Sequence, residues 1–341
     1  MPTFTAGALG VDFDQIDVGT LAMGQVSQLG STSFIVSNGG EQDQFSGSGF
    51  VFGGGGLPTG GVITGLNETL FGQQAFQLTG LNLVVSDLNS WVASDSSEAA
   101  KIAIFAGADE IDGSDATDLL RGYGGDDTIN GNGGNDQING GDGNNIIHGG
   151  TGDDVIAVTG GTNYLRGDDG DDHILGGAGF DDINGNKGND TIDGGAGGND
   201  WLVGGQGDDL IIAEHSSNLV YGNLGNDTLQ AGDGGDTLRG GQGDDSIQGG
   251  AGADFISGDR GNDTESGGPG ADIFHGSQDA GIDRVLDFNQ GEGDRVQLDP
   301  GTTYTLTQVG SDTVIDMGAG NQMILVGVQL STLKTGWIFE A

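Results

Sequence analysis

The sequence predicts an all-β protein, in which a parallel β-roll (solenoid) lies between a β-rich N-terminal domain and a C-terminal β cap. Three observations lead to this fold class. A nine-residue unit repeats through the middle of the chain, glycine supplies 74 of the 341 residues, and one position of the unit is nearly always aspartate. A short fixed period is typical of folds in which each repeat contacts only its neighbours. We predict three domains, at residues 1–103, 104–275 and 276–341.

The repeat contains 19 units with two nearly uniform positions. The units begin at Ile104, keep their phase through Asp193, and resume at Gly195 after one inserted residue. Position 8 is apolar in 18 of the 19 units, and Glu265 is the exception. Position 6 is Asp in 16 units, and the other three units carry Asn145, Asn163 and Asn218. Two such regular positions indicate a structural repeat rather than a disordered acidic chain.

The residue types of the unit predict a thin roll. One inward apolar side chain per unit suits a very short strand. Glycines at positions 1, 2 and 4 permit positive φ and allow neighbouring backbones to approach closely. Two units therefore form one turn, with a strand on each face and a loop on each flank. Since one turn buries little apolar surface, we expect its stability to come from stacking on the adjacent turns.

The charge of the chain favours cations as partners. Lys and Arg total 9 against 51 Asp and Glu, which gives a formal net charge of −42. Such a balance excludes nucleic acid and anionic membranes as expected partners. The chain has no cysteine, which excludes disulfides and thiolate metal sites. No stretch approaches 18 consecutive apolar residues, so no membrane span is predicted.

The loops of the predicted roll offer oxygen ligands only. Calcium prefers carboxylates and backbone carbonyls, whereas magnesium tends to keep its waters. We therefore predict that each position-6 carboxylate shares a calcium ion with glycine-rich carbonyls of an adjacent turn, for roughly 12–16 ions in total. The predicted metal ligands are Asp109, Asp118, Asp127, Asp136, Asp154, Asp172, Asp181, Asp190, Asp200, Asp209, Asp227, Asp236, Asp245, Asp254, Asp263 and Asp272.

Units such as 149–157 and 240–248 resemble the Gly-Gly-x-Gly-x-Asp-x-U-x nonapeptide of RTX (hemolysin-type) repeat proteins. The resemblance covers residues 104–275 and implies a calcium-binding parallel β-roll. Residues 50–88 further resemble N-terminal modules that precede such arrays in proteobacterial surface proteins, which assigns no biochemical role to them.

The C-terminal region resembles the targeting domain of type I secretion substrates. This resemblance rests on residues 283–299, the turn 325–328 and the tail 337–341. It implies export through an ABC transporter and a secreted, extracellular or surface location in a Gram-negative bacterium. The N-terminus, Met1 to Thr5, lacks the basic and apolar pattern of a cleavable signal peptide, which agrees with that route.

Units 18 residues apart share a flank, and the two flanks differ. One flank carries only Asp at position 6, from Asp118 to Asp263, whereas the other contains all three Asn residues. Asn keeps a carbonyl oxygen and loses the charge, so we expect weaker or absent calcium sites there. Two interpretations remain open. The Asn-bearing flank is either a contact surface for a partner or a set of rungs in which an uncharged hydrogen bond replaces an ion.

The ends of the chain have alternating apolar patterns that predict strands. In the N-terminal domain the predicted strands are Phe34–Val36, Phe50–Phe52, Gly61–Thr64 and Leu81–Val85. In the cap we predict hairpins that close the last rung. The predicted cap strands are Arg284–Phe288, Asp294–Leu298, Thr313–Met317 and Met323–Val326.

No catalytic constellation is visible, and we predict that the chain is not an enzyme. The sequence lacks both the His-Glu-x-x-His of zinc proteases and the Gly-x-Ser-x-Gly of lipases. The four histidines, His148, His173, His215 and His275, occupy different repeat positions and predict no shared site. The pair Glu214 and His215 offers a metal contact or, as the simpler alternative, a surface pair.

These observations favour a secreted structural protein that folds on calcium and self-associates at the cell surface or in the extracellular matrix, such as a surface layer or biofilm. The alternative is a binding or adhesion module whose N-terminal domain recognises a ligand such as a glycan. That domain has a single Trp, Trp91, and no Tyr, which disfavours glycan binding. Ice adhesion is disfavoured because position 3 lacks a ladder of Thr.

Overall fold

The computed structural model describes residues 3–6, 25–28, 33–38, 41–52, 58–70, 73–84 and 97–341. The chain divides into two compact units, Met1–Gly160 and Gly161–Ala341. The fold is nearly all β and its central region is a parallel β-solenoid, as predicted. No helix among the described residues is long and apolar enough to cross a membrane.

The N-terminal strands of the first unit form an antiparallel sheet. The sheet runs in the order β2-β3-β4-β5-β6-β1, and Phe45, Ile63 and Leu78 are buried in it. The predicted N-terminal strands are confirmed within these ranges, whereas Val85 and Trp91 lie outside the described residues. The strands are β1 (Thr3–Ala6), β2 (Gln25–Gln28), β3 (Ser33–Asn38), β4 (Glu41–Phe52), β5 (Pro58–Leu70) and β6 (Gln73–Val84).

Strand β1 joins this antiparallel sheet to the roll. It pairs antiparallel with β6 and parallel with the first strand of the roll, which places Phe4 opposite Ile111. Both side chains are fully buried, so the first rung is covered by a strand. Helix α1 (Ser97–Ile104) leads into the repeats, and Phe105, just after it, stacks on Tyr123 with ring centroids 6.3 Å apart.

The repeats form short strands that alternate between two parallel sheets. Consecutive strands of one sheet come from every second nine-residue repeat. In the first unit they are β7 (Glu110–Asp112), β8 (Leu119–Arg121), β9 (Thr128–Gly133), β10 (Gln137–Asp142), β11 (Ile146–Thr151) and β12 (Val155–Gly160). In the second unit they are β13 (Asn163–Asp169), β14 (His173–Leu175), β15 (Asp181–Lys187), β16 (Thr191–Asp193), β17 (Trp201–Gln206), β18 (Leu210–Ala213), β19 (Leu219–Leu224), β20 (Thr228–Ala231), β21 (Thr237–Gln242), β22 (Ser246–Gln248), β23 (Phe255–Arg260), β24 (Thr264–Ser266) and β25 (Ile273–Gly276).

The position-8 side chains form the apolar core of the roll within each of the two compact units. They stack in register, as in Ile111 opposite Ile129 and Ile183 opposite Leu202, and all are at most 2% exposed. The neighbouring position-7 and position-9 side chains point outward because side chains alternate along a strand. The predicted inward side chain at position 8 is buried in every repeat strand, Glu265 included, while β12 and β18 each bury a second apolar side chain, Val158 and Ala213.

Glycine recurs in the loops for two different structural reasons. Positions 2 and 4 adopt positive φ, as in Gly241 (114°) and Gly243 (134°). The residues other than Gly that adopt positive φ at position 2 are mostly Asn or Asp, which tolerate this conformation, as Asn186 does at 76°. Position 1 is Gly because of crowding, since a side chain there would collide with the position-6 carboxylate, as described below.

The C-terminal region corrects one prediction. Its first two strands continue the roll as parallel rungs, whereas we expected hairpins: β26 (Ile282–Val285) pairs with β24, and β27 (Arg295–Leu298) pairs with β25. The later strands β28 (Thr305–Val309), β29 (Asp312–Gly318) and β30 (Asn321–Leu325) are antiparallel, as expected, and β30 also covers β26. A 3-10 turn (Leu330–Thr332) precedes β31 (Ile338–Glu340), which pairs parallel with β27.

Candidate metal sites

The position-6 aspartates lie in the loops between the two sheets, and their side chains are buried. Each loop returns the chain from one sheet to the other, and the aspartate stands two residues before the inward position-8 residue of the next strand. The 16 predicted ligands are at most 3% exposed. The aspartates therefore line the inside of both loop flanks, where water cannot solvate them.

One oxygen of most of these carboxylates accepts a backbone hydrogen bond from the loop of the preceding turn. Asp136 Oδ1 accepts a hydrogen bond from the backbone N–H of Asp118 at 2.8 Å, and Asp263 Oδ1 accepts one from Asp245 at 2.8 Å. The same bond recurs with a spacing of 18 residues on both flanks, or 19 across the inserted residue. The Oδ1 atoms thus form a ladder parallel to the strand ladders.

The other oxygen has no protein donor in most units. Among the described residues, the Oδ2 atoms without a hydrogen-bond partner belong to Asp109, Asp127, Asp136, Asp181, Asp190, Asp209, Asp227, Asp236, Asp245, Asp254, Asp263 and Asp272. A buried carboxylate oxygen without a partner is costly, so a repeated column of them indicates a group that is bound there.

Backbone carbonyls converge on the same space. A Cβ built on Gly249 would lie 2.6 Å from Asp254 Oδ2 and 2.8 Å from the carbonyl oxygen of Gly267, one turn further on. The equivalent point at Gly176 lies 2.7 Å from both Asp181 Oδ2 and the Gly194 carbonyl oxygen. The space left by the missing side chain is therefore lined by carboxylate and carbonyl oxygens, which are the ligands that calcium prefers.

Burial also changes the protonation of these carboxylates. The pKa of Asp245 rises to about 8, first because burial disfavours its charged form and then because Asp263 and Asp227 repel it. Burial likewise raises the pKa of Asp109, Asp136, Asp181, Asp209 and Asp272 to about 7. It raises the pKa of Asp127, Asp190, Asp200, Asp227, Asp236, Asp254 and Asp263 to about 6. A proton or a cation must therefore compensate these groups at neutral pH.

Asp118 and Asp200 depart from the common geometry. Ser114 stands at position 2 of its unit, and its N–H and hydroxyl donate to Asp118 Oδ2 at 2.6 and 3.0 Å. Asp200 follows the inserted residue, and a Cβ on Gly194 would lie 3.1 Å from its Oδ2. Both predicted ligands therefore lie in the loops expected for position 6. The neighbours of their Oδ2 atoms differ from those in the other units.

The asparagine units keep the ladder and change the metal space. Asn145 Oδ1 and Asn218 Oδ1 accept from Asp127 and Asp200 at 3.1 and 2.9 Å, as an Asp would. Asn218 Nδ2 donates to the carbonyls of Ala213 and His215 at 3.2 and 2.8 Å. In the Asn218 unit, an amide nitrogen therefore meets the loop carbonyls in place of an ion, as one of the two interpretations left open by the sequence supposes. Asn163 Nδ2 instead donates to Asp181 Oδ1 at 2.8 Å.

Position 1 differs in two of these three units as well. Val158 precedes Asn163 and Ala213 precedes Asn218, whereas the units with unpartnered Oδ2 atoms mostly carry Gly there. Both side chains are buried, at 5% and 2% exposure. Their β-carbons fill the space that the glycine leaves open elsewhere.

Two aspartates that sequence reasoning missed extend the ladder. Asp283 Oδ1 accepts from the N–H of Asp263 at 3.3 Å, and Asp294 Oδ1 accepts from Asp272 at 3.0 Å. Both are buried, and burial is the first cause that raises the pKa of Asp283 to about 8. The spacing lengthens to 20 and 22 residues at these steps, so the nine-residue period no longer identifies them. In the sequence, each of these two aspartates stands just before or within a short apolar segment, and that placement could have identified it.

The four histidines do not share one site. His275 lies between Ser257 Oγ, 3.2 Å from Nδ1, and Asp299 Oδ1, 3.3 Å from Nε2. His148, His173 and His215 occupy other turns. Within the described residues, no group of three or more His, Cys, Asp or Glu side chains has the geometry of a metal site. This agrees with loops that supply one carboxylate each and draw their other oxygens from the backbone.

Comparison with known proteins gives a family match for the repeats. The RTX calcium-binding nonapeptide repeat (4 copies) matches residues 105–138, 130–165, 166–198, 195–229 and 230–265. No curated protein matches the chain significantly. Among solved structures, the extracellular lipase LipA from Serratia marcescens is similar at 23% identity, with a TM-score of 0.29. That match covers 58% of this chain and 40% of the lipase, so the chain spans less than half of that protein's length.

Proposed function

This chain is an RTX repeat protein whose β-roll binds several calcium ions, and on that premise we propose that it is a secreted structural protein that folds when it meets calcium outside the cell. The observation that carries the proposal is the column of buried, unpartnered Oδ2 atoms. Without cations, such a column opposes folding, since each buried charge lacks compensation.

We assign calcium binding to the 16 position-6 aspartates predicted from the sequence. Most would supply Oδ2, and carbonyls such as those of Gly194 and Gly267 would supply further ligands from the adjacent turn. Calcium provides the charge compensation in this arrangement. The chain's own residues hold the loop: Oδ1 fixes the carboxylate against the preceding turn, and the position-1 glycine keeps the space open.

The charge of the chain supports export in an unfolded state. At −42, the chain repels itself wherever calcium is scarce, and it becomes compact where calcium is abundant. Roughly 12–16 divalent ions would offset most of that charge. Export through a type I ABC transporter fits such a chain, because the unfolded form would persist until calcium is reached.

Self-association is supported by exposed apolar surface on the outward faces of the strands. Ile146, Tyr164 and Trp201 occupy position 7 and are 40–46% exposed. Strand β28 pairs only with β29 among the described strands, which leaves an edge that can accept a further strand. We propose a non-catalytic role in a surface layer or matrix, built from copies of this chain.

The test uses the full chain purified in chelator. On addition of millimolar calcium, we expect β-structure by circular dichroism together with growth by light scattering and ordered assemblies by negative-stain electron microscopy. A folded monomer would overturn self-association and direct attention to a ligand of the N-terminal domain. A chain that stays unfolded in calcium would overturn calcium-triggered folding itself.

A matched variant links assembly to the faces that are proposed to carry it. Trp201→Ser removes an exposed aromatic residue, and Thr191→Ser changes an outward position-7 residue of the other sheet with little loss of apolar area. Trp201→Ser should fold in calcium and assemble less, while Thr191→Ser should assemble normally. Equal assembly of both variants would contradict a contact through this face.

A further inference from the structure

A groove of about 740 Å³ crosses five neighbouring strands of the second compact unit, β15, β17, β19, β21 and β23. It runs along the roll, because these strands pair in register one after another. Most of its lining comes from the last two residues of each strand, at positions 2 and 3 of the repeat. Paired strands lie about 4.8 Å apart, so the five span about 19 Å. That length suits a segment of a polymer.

Four successive strands each place one side-chain amide at the groove, and the amides alternate between positions 2 and 3. They are Asn186, Gln206, Asn223 and Gln242. Where position 3 carries the amide, position 2 is a glycine, Gly205 or Gly241. Amides at one position therefore recur every two strands, which is about 10 Å. A polymer whose repeat is two units long matches this spacing.

Three of these amides are available to a ligand. The side chains of Gln206, Asn223 and Gln242 are exposed and make no hydrogen bond within the described part of the chain. Leu224 lies between the two glutamines in the pairing register and is 42% exposed. Each amide offers two N–H donors and one carbonyl acceptor, and Leu224 adds apolar surface. The hydroxyl groups at the edge of a sugar ring and the C–H groups on its face complement this combination.

The fold itself does not require amides at these two positions. On the opposite sheet of the same unit, several repeats carry only small residues there, such as Gly177 with Ala178 and Gly250 with Ala251. Strands of that sheet, such as β14 and β22, end before these positions. The longer, amide-bearing strand ends therefore distinguish the groove from the equivalent part of the opposite sheet.

The charged side chains of the groove cancel one another. Arg239 lies 3.7 Å from Asp259, and Arg260 lies 3.7 Å from Asp279. Among the described residues that line the groove, no others are charged. The chain as a whole carries −42, which repels polyanions. A neutral groove in such a chain favours an uncharged ligand.

We propose that this groove binds an uncharged polysaccharide with β-1,4 linkages. Successive rings of such a chain are turned over, so its repeat is a disaccharide, whose length is close to the spacing of two strands. Hydroxyl groups of alternate rings then meet Gln206 and Gln242 along one side, while Asn223 meets them on the other. Binding needs only the folded roll, so it does not depend on contacts between copies of this chain.

Isothermal titration calorimetry of the full chain in millimolar calcium tests the ligand class. The neutral probes are cellohexaose, mannohexaose and chitohexaose, all with β-1,4 linkages. Hexamannuronate has the same linkage and carries carboxylates, so it tests the role of charge. At least one neutral probe should bind, and hexamannuronate should bind more weakly than that probe. Failure of all three neutral probes, or a preference for hexamannuronate, would overturn the proposal.

A matched pair of double variants tests the location. Gln206→Ala with Gln242→Ala removes two exposed amides from the groove, whereas Gln230→Ala with Gln248→Ala removes two exposed amides from the opposite sheet. Both should fold in calcium, as circular dichroism will show. The groove variant should bind the best neutral probe about tenfold more weakly, because two hydrogen bonds are lost, and the other should bind as the wild type does. Equal affinities of the two double variants would contradict the site.

Discussion

At the scale of single residues, the two oxygens of a position-6 aspartate have separate tasks. Oδ1 is committed to the backbone of the preceding turn, and Oδ2 faces the space that the position-1 glycine leaves open. Asn can perform the first task because its amide also has a carbonyl oxygen. It cannot perform the second, since its nitrogen donates hydrogen bonds and does not coordinate a cation.

The pair Asp244 and Asp245 separates these tasks experimentally. Asp245 is buried in the ladder, and Asp244 beside it is exposed. We expect Asp245→Asn to fold, to bind one calcium ion fewer by native mass spectrometry, and to lose about 2–3 kcal/mol of stability at saturating calcium. Asp244→Asn should retain every ion. Equal ion counts for the two variants would contradict the assignment of Asp245 as a ligand.

The asparagine units predict the reverse experiment. Asn218→Asp alone replaces an amide that donates to two carbonyls, while the β-carbon of Ala213 still fills the metal space. We expect this single variant to be less stable and to bind no additional ion. Combining it with Ala213→Gly should add one ion to the mass-spectrometric count. An additional ion in the single variant would show that position 1 does not control occupancy.

At the scale of strands, each rung contributes one core side chain and depends on its neighbours for burial. Ile146 and Ile147 are adjacent in β11, and their exposures are 46% and 0%. Ile147→Ala should lower the free energy of unfolding in calcium by about 2–5 kcal/mol, because it opens a cavity in the stack. Ile146→Ala removes the same atoms from the surface and should cost under about 1 kcal/mol. Denaturant unfolding in calcium measures both, and similar losses would refute the inward assignment of position 8.

The strands of the repeats could be predicted because their period fixes both turn and register. Positions 6 and 8 recur every nine residues, so the inward column and the loop carboxylates follow from counting. The period ends before Asp283 and Asp294, where two and four extra residues enlarge the turn. Because the nine-residue period is lost there, Arg284–Phe288 and Asp294–Leu298 resembled ordinary hairpin strands, and their parallel pairing was missed.

The pairing of Oδ2 with the position-1 glycine could not be predicted either, because it joins residues of different turns. The sequence shows that glycine recurs at position 1. It does not show that the glycine there has a negative φ and so is not required by the backbone conformation. Only the stacked structure reveals that the missing β-carbon leaves room beside a carbonyl 18 residues away.

At the scale of the whole molecule, the raised pKa values predict how pH acts without calcium. The folded pKa values of about 6 to 8 lie above the ordinary 3.8, so protons bind the folded state more tightly than the unfolded state. The stability that these groups contribute to the calcium-free fold is therefore fully present below about pH 4 and is lost as pH rises toward about 8. In chelator, circular dichroism should show β-structure in acid that disappears at neutral pH.

Calcium should reverse this dependence, since it occupies the place of the protons. At millimolar calcium, thermal stability should be retained at neutral pH and should fall in acid as protons compete for the carboxylates. A calcium-free chain that is equally unfolded at about pH 4.5 and about pH 8 would contradict the burial of these groups. The two titrations therefore test the ladder without any substitution.

The Oδ1 ladder gives each stack of turns a polarity. Within a stack, as at Asp227, a carboxylate accepts from the backbone N–H of the turn before it, and its own N–H donates to the carboxylate of the turn after it. Loss of the side chain of Asp227 would therefore release the N–H of Asp209 in the earlier turn, while the bond from the N–H of Asp227 to Asp245 would survive. Fraying that starts at a substituted rung should spread toward the N-terminus. The substitution should therefore destabilise the turns N-terminal to it more than the turns C-terminal to it.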